Sequence, residues 1–136
     1  MGWGNPFKEM LGIVRELRQV PGQMVERCAA ESLEMARQGF WLQQDPYGNR
    51  WPDTVTGKPF DQRAGLERAF RATRKLLGFY VECNHEAFKY HQGGTVHLPA
   101  RMMVPELRRG LGLWGEAYAR IAGEEFRGAV QRGRAR

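Results

Sequence analysis

One stretch constrains this chain more than any other: Tyr90-His91-Gln92-Gly93-Gly94-Thr95-Val96-His97-Leu98-Pro99-Ala100-Arg101-Met102-Met103-Val104-Pro105. Its two adjacent glycines can take positive φ or let another backbone pass close by. Thr95-Val96-His97-Leu98 is β-branched and apolar and reads as a strand. Pro99 has no N–H to give to a ladder, so that strand belongs at a sheet edge or leaves the sheet there. Arg101 and the apolar run Met102-Met103-Val104 follow, and Pro105 closes the unit before a helical pattern begins.

The segment upstream reads as helical. Phe7, Met10, Leu11, Val14 and Leu17 recur at spacings of three and four, one face of an amphipathic helix over 7–20 with Pro6 in its first turn. Pro21-Gly22 breaks the pattern, or kinks one long helix, since Pro21 can be tolerated at a new N-terminus. A second helix is expected over 23–38, with Met24, Val25, Cys28, Ala29, Leu33, Met35 and Ala36 inward and Gly39 as its terminator.

From Phe40 to Phe60 there is no periodicity. Asp45-Pro46-Tyr47-Gly48 fits a type I turn, with Asp first, Pro second and Gly fourth. Trp41, Tyr47, Trp51 and Phe60 surround it, and aromatics of that size argue for a docked, ordered loop. Leu66, Ala69 and Phe70 mark a short helix over 61–70. Phe70 to Arg74 and Leu77 to Cys83 read as strands, the second alternating Phe79, Val81 and Cys83 with Tyr80 and Glu82. The last helix is expected over 107–130, with Trp114, Tyr118, Ala122, Phe126 and Val130 inward, widened by Leu113, Ala117 and Ile121. Glycines 110, 112, 115, 123 and 128 weaken it, so it needs tertiary or intersubunit packing.

The expected architecture is α+β in one domain of 136 residues. It divides into a helical region (1–39), an aromatic loop (40–62), a small antiparallel sheet of about three strands (63–105), a C-terminal helix packed on it (106–130) and a basic tail (131–136). No stretch approaches the roughly 20 apolar residues of a membrane span, and no signal peptide is evident at Met1-Gly2-Trp3-Gly4. Cys28 and Cys83 have no framework spacing and read as buried thiols of a reducing cytoplasm. The net charge of +6 allows a polyanionic partner. Part of it lies in Arg127, Arg132, Arg134 and Arg136, which read either as a solvated tail or as DNA-facing cations.

Chemical motifs fall away on inspection. Gly110-Leu111-Gly112-Leu113-Trp114-Gly115 matches GxGxxG, but no strand follows it and position 130 is valine where an acid is needed. Gly57-Lys58 is followed by Pro59 rather than Ser or Thr. Cys83, His85, His91 and His97 have spacings that fit neither a zinc finger nor one helix face. Asp45, Asp53, Asp61, Glu82 and Glu86 form no marked pair for acid–base work. The sequence therefore predicts no enzyme, no cofactor and no metal. Arg101 has two readings: a side chain snorkelling at a sheet edge, or a guanidinium reaching a neighbouring subunit's carboxylate or carbonyls.

Three features in order resemble the phage virion morphogenesis family, the tail-completion proteins of Mu-like and related tailed phages. They are Phe40 with Asp45-Pro46-Tyr47-Gly48 and Trp51-Pro52, then a strand pair, then Tyr90-His91-Gln92-Gly93-Gly94 with Leu98-Pro99-Ala100-Arg101. The resemblance spans about residues 31–126. The chain departs from the pattern at Ala64 to Ala69, where a leucine-and-glycine strand entry is blurred, and in a short link from Trp51 to the sheet.

The resemblance implies a non-enzymatic virion protein of the tail or neck, assembled in the host cytoplasm. It implies a homo-oligomeric ring, expected to be hexameric, at the head–tail junction. Other neck and tail proteins, the head connector and tail tube or terminator among them, would be its partners. Packaged DNA would be met without sequence reading and no membrane is involved. Trp51, Tyr90, His91, Gln92 and Arg101 become candidates for the assembly interface. Two other classes remain open: a basic nucleic-acid-binding accessory protein, whose binding would persist in the monomer and weaken with salt, and a metal-dependent hydrolase, which would require bound metal.

Overall fold

The computed structural model describes residues 6–54, 57 and 65–135 and has the expected α+β class. Helices α1 (Pro6–Leu17) and α2 (Val20–Leu42) lead to a looped segment. The hairpin strands β1 (Phe70–Lys75) and β2 (Gly78–Cys83) follow, then the short α3 (Phe88–Gly93) and the long α4 (Leu113–Arg134). The sheet lies against α2, and α4 packs on both α2 and α1. Residues 1–5, most of 55–64 and Arg136 lie outside the described residues. With them go Phe60, Asp61 and the first half of the helix expected over 61–70. Its second half is a 3-10 turn, Glu67–Ala69.

The break between the first two helices falls at Arg18-Gln19, and Pro21 sits in the first turn of α2 instead of ending a helix. There its missing N–H is one that no helix would use. Gly39 does not stop α2. The helix continues to Leu42, and Gln43 takes the left-handed cap at φ 55°. Gly39 serves packing: a Cβ there would lie 3.3 Å from the Gln44 carbonyl and 3.9 Å from the Trp51 ring.

The sheet has two strands, not three, among the described residues. They pair antiparallel from Phe70↔Cys83 to Lys75↔Gly78. Thr95 to Leu98, expected as an edge strand, is a loop. Thr95 Oγ1 accepts from the N–H groups of His97 (3.2 Å) and Leu98 (3.0 Å), and the Thr95 N–H donates to the Leu98 carbonyl (2.8 Å). The side chain and the local turn capture the groups a ladder would use. Gly94 enters that turn at φ 73°, where a Cβ would sit 2.9 Å from the Ala100 nitrogen.

The core cluster joins Ala36 and Phe40 of α2, Trp51, Leu66, Phe70, Met103 and Trp114. Phe40 lies at its centre, edge-on to Trp51 (centroids 5.4 Å) and to Phe70 (6.2 Å); Phe70 in turn meets Phe88 at 5.7 Å. Ser32 Oγ donates to the Cys28 carbonyl (2.7 Å) and bonds the Tyr118 hydroxyl, linking α2 to α4 in the interior. Burial raises the Tyr118 pKa, with the bond to Ser32 working against it. Both cysteines are free; Cys28 is buried and Cys83 only half-buried, and burial raises both thiols.

Two helix faces differ from expectation. Along α4 the buried residues are Trp114, Ile121, Ala129 and Gly133, while Phe126 is 54% exposed. A strict spacing of four drifts about 40° per step against 3.6 residues per turn, so the stripe begun at Trp114 has rotated out of the core by Phe126. In α1 the apolar residues Phe7, Met10, Leu11 and Val14 are exposed, and Gly12 and Glu16 face α4. Gly12 and Gly133 let the two backbones touch, since a Cβ on either would collide with the other helix.

Residues 131–134 belong to α4 and do not form a separate tail. Arg132 Nε meets buried Glu16 Oε2 at 3.2 Å and Arg134 Nε meets Glu9 Oε1 at 3.3 Å. A second ion cluster crosses from α2 to α4, where Arg27 donates to Glu124 (2.7 Å) and Glu125 (3.0 Å). Those bonds to Glu124 and Glu125 raise the Arg27 pKa, and the Arg27 bond lowers that of Glu124.

Candidate functional site

Four of the five residues singled out as interface candidates converge on one strap, Arg101 to Val104, and hold it inside the chain. The Trp51 indole N–H donates to the Met102 carbonyl at 3.0 Å, with the ring buried against Phe40. Gln92, on the last turn of α3, uses its whole amide. Its Oε1 accepts from the N–H groups of Met103 (2.8 Å) and Val104 (3.2 Å), and its Nε2 donates to the Val104 carbonyl (2.7 Å). The side chain thus serves as the neighbouring strand the strap lacks, satisfying backbone groups that burial would leave costly.

Arg101 is only 3% exposed, so it neither snorkels at an edge nor reaches out of the described fold. Its backbone N–H donates to the His91 carbonyl at 2.6 Å. The guanidinium turns the other way, from Nε to the Pro52 carbonyl and from an Nη to the Asp53 carbonyl, both 3.0 Å. The carbonyl acceptors foreseen for a neighbour are therefore supplied by the chain's own loop. Burial lowers the Arg101 pKa and the charge of Asp53 opposes it. His91 is buried beneath this arrangement; burial first, then the positive charges of Arg101 and His85, lower its pKa. Tyr90 stands apart, half-exposed, with Lys89 Nζ 5.0 Å from its ring centroid.

The Asp45-Pro46-Tyr47-Gly48 turn forms as read. The Gly48 N–H donates to the Asp45 carbonyl (3.1 Å), and Asp45 Oδ1 accepts from the Tyr47 and Asn49 N–H groups, both 2.9 Å. Gly48 takes φ 89°, and a Gln44↔Arg50 bridge closes the loop below it. Tyr47, expected as one of the loop's docked aromatics, docks on the segment before α4, a partner the sequence did not indicate. Its hydroxyl donates to the Gly110 carbonyl (2.7 Å) and accepts from the Glu106 N–H (3.2 Å), and the Arg109 guanidinium lies 4.2 Å from its ring centroid.

That docking also explains the GxGxxG match. Gly110 (φ 80°) and Gly112 (φ 57°) shape the approach to α4, and the Leu113 N–H donates to the Pro46 carbonyl at 2.8 Å. A Cβ on Gly112 would lie 2.5 Å from that same carbonyl oxygen. The two positive-φ glycines, six and eight residues beyond the strap, were the available signal for this contact.

Among the described residues no group of three or more His, Cys, Asp or Glu side chains could hold a metal. His91, Trp51, Gln92 and Arg101 meet backbone groups and apolar surface, an arrangement suited to fixing the strap and the 45–54 loop to each other. Of the candidate DNA-facing arginines, Arg132 and Arg134 pair with acids of α1, Arg127 is exposed, and Arg136 is outside the described residues. No described helix is long and apolar enough to cross a membrane. Compared with known proteins, the chain matches no family model, no curated protein sequence and no solved structure.

Proposed function

We propose that this chain is a structural virion protein of a tailed phage, a tail-completion or neck component that works as a homo-oligomeric ring at the head–tail junction. The observation that carries the assembly part of the reading is the amount of apolar surface left bare on so small a chain. Met10, Leu11 and Val14 of α1, Leu76 and Leu77 at the hairpin tip, and Leu42, Leu111 and Phe126 are all exposed. The adjacent exposed residues Met10, Leu11 and Val14 on one face of α1, and Leu76 and Leu77 at the tip, are the kind of apolar patch that marks protein association, which the singly exposed ones are not. The phage part rests on the resemblance carried by Asp45-Pro46-Tyr47-Gly48, Trp51-Pro52, His91-Gln92-Gly93-Gly94 and Pro99-Ala100-Arg101. Of these segments, Trp51-Pro52, His91-Gln92 and Arg101 meet through hydrogen bonds at the strap, while the Asp45 turn docks on residues 106–113.

In this reading the internal strap keeps the subunit rigid while the exposed faces meet neighbours. Neck and tail proteins are its partners, and chemistry has no part in its work. The test is removal of the gene from the phage that carries it. The proposal expects filled heads and tails that fail to join, with joining restored by the wild-type chain. Normal infectious particles without the protein would overturn it.

A further inference from the structure

The β1–β2 turn is built from Leu76 and Leu77, which are 92% and 82% exposed. Two-residue hairpin turns ordinarily carry Asn, Asp or Gly, whose backbones suit the bend. Two leucines there spend turn propensity on apolar surface that no described part of this chain covers. Arg74 and Lys75 precede them, and Lys75 Nζ lies 5.2 Å from the Tyr80 ring centroid.

A receptor of matching character lies at the far end of α2. Met35 and Leu42 of α2, Leu113 and Trp114 of α4, and Met103 of the strap line an open groove of about 190 Å3. A cavity near 150 Å3 already accepts a benzene ring, so the groove has room for a leucine side chain. Its charged lining residues, Glu31 and Asp45, are both acidic, although Glu31 also lies 3.5 Å from Arg120. The tip is apolar with a basic base, and the groove sets its apolar side chains beside Gln38, Gln44 and two acids, of which Asp45 also accepts from the Tyr47 and Asn49 N–H groups.

The hairpin cannot fill its own groove. Phe70 starts β1 beside Phe40, near the C-terminal end of α2, and Arg74 reaches Glu26, 3.7 Å away, near the N-terminal end. The strand therefore runs back along α2, and its tip points away from the groove. From Glu26 to Leu42 the helix axis rises by about 24 Å.

We infer that the Leu76-Leu77 tip of one copy seats in the α2–α4 groove of the next. The contact is head-to-tail, the class that closes into rings when the rotation permits. The inference rests on the ring reading and supplies its interface.

The test measures the mass in solution of the full chain and of four variants by native mass spectrometry, with Met10→Asp on the exposed face of α1 as the control. Leu76→Asp with Leu77→Asp spoils the tip. Leu76→Asn with Leu77→Gly does so with a turn-favouring pair that keeps the hairpin folded. Leu42→Lys spoils the groove at an exposed position. We expect wild type and the control to form a closed oligomer and each tip or groove variant alone to be monomeric. An equimolar mixture of a tip variant with the groove variant should give heterodimers and nothing larger, because each retains one working half. Full-size oligomers from the Asn-Gly variant would overturn the inference and leave the ring reading standing. So would assembly lost only in Met10→Asp, which would assign the contact to α1. A wild type that stays monomeric would overturn the inference and the ring together. Assembly as expected, with no joining defect on gene removal, would instead remove the phage reading alone.

Discussion

Arg101 and Pro52 are joined by a hydrogen bond of 3.0 Å from the guanidinium Nε to the carbonyl oxygen, buried beside a second bond to Asp53. A charge held this way binds the loop after Trp51 to the strap, so its loss is felt first in folding. Arg101→Ala should cost about 3 kcal/mol, since each bond from a charged donor is worth about 1.5–3 kcal/mol. Arg101→Lys should recover little, because an ammonium cannot span both carbonyls in a plane. Equilibrium denaturation of the two variants checks this. An unchanged midpoint would return Arg101 to the surface role that its place in the sequence suggested.

The Gln92 amide offers a sharper test of the strap. In Gln92→Glu, the carboxylate can still accept from the Met103 and Val104 N–H groups, but it faces the Val104 carbonyl where Nε2 donated. We expect a loss of about 1–3 kcal/mol at neutral pH. Protonating the new carboxyl restores a donor, so the gap to wild type should narrow in acid. A gap that widens in acid would contradict the pairing.

Three glycines give graded outcomes. Gly112→Ala meets both a positive φ and the Pro46 carbonyl, and should cost on the order of 3 kcal/mol. Gly110→Ala has the φ penalty but open space, and should cost about 1 kcal/mol. Gly22→Ala, in the first turns of α2 with nothing within 4 Å, should stabilise by about 0.5–1 kcal/mol. Thermal melts should therefore rank Gly22→Ala above wild type, then Gly110→Ala, then Gly112→Ala.

His91 predicts an acid sensitivity. Its folded-state pKa lies below the ordinary value through burial and the neighbouring cation Arg101. The unfolded chain therefore takes up its proton first. The stabilising contribution is complete above about pH 6.5, the unfolded value, and is lost as pH falls through the folded one. Wild type should lose more stability than His91→Gln on acidification across that window. Parallel slopes in denaturation at matched pH would contradict it.

Much of the fold was legible because its signals were local. The helix pair, the Asp45 turn and the β1–β2 hairpin each follow from periodicity or turn chemistry within a few residues. The misreadings share a physical cause. Periodicity marks α1 as amphipathic but does not say which face is covered, and the Gly12–Gly133 approach, a contact across the whole chain, turned its apolar side outward. Thr95 to Leu98 has strand composition, yet one threonine hydroxyl captured the N–H groups a ladder needs. Arg101 was noticed for its apolar neighbours, but its acceptors lie some fifty positions earlier, in carbonyls that no residue type advertises. Tyr47 was assigned to a loop, and only the positive-φ glycines near α4 hinted at its partner.

The central claim is that this chain is a ring-forming part of a phage particle. Quantitative mass spectrometry of purified virions, against the major tail tube protein, tests it most directly. The account predicts a fixed copy number set by one ring, expected to be hexameric, retained when tails are separated from heads. Absence from purified particles, or a copy number that varies between preparations, would contradict it.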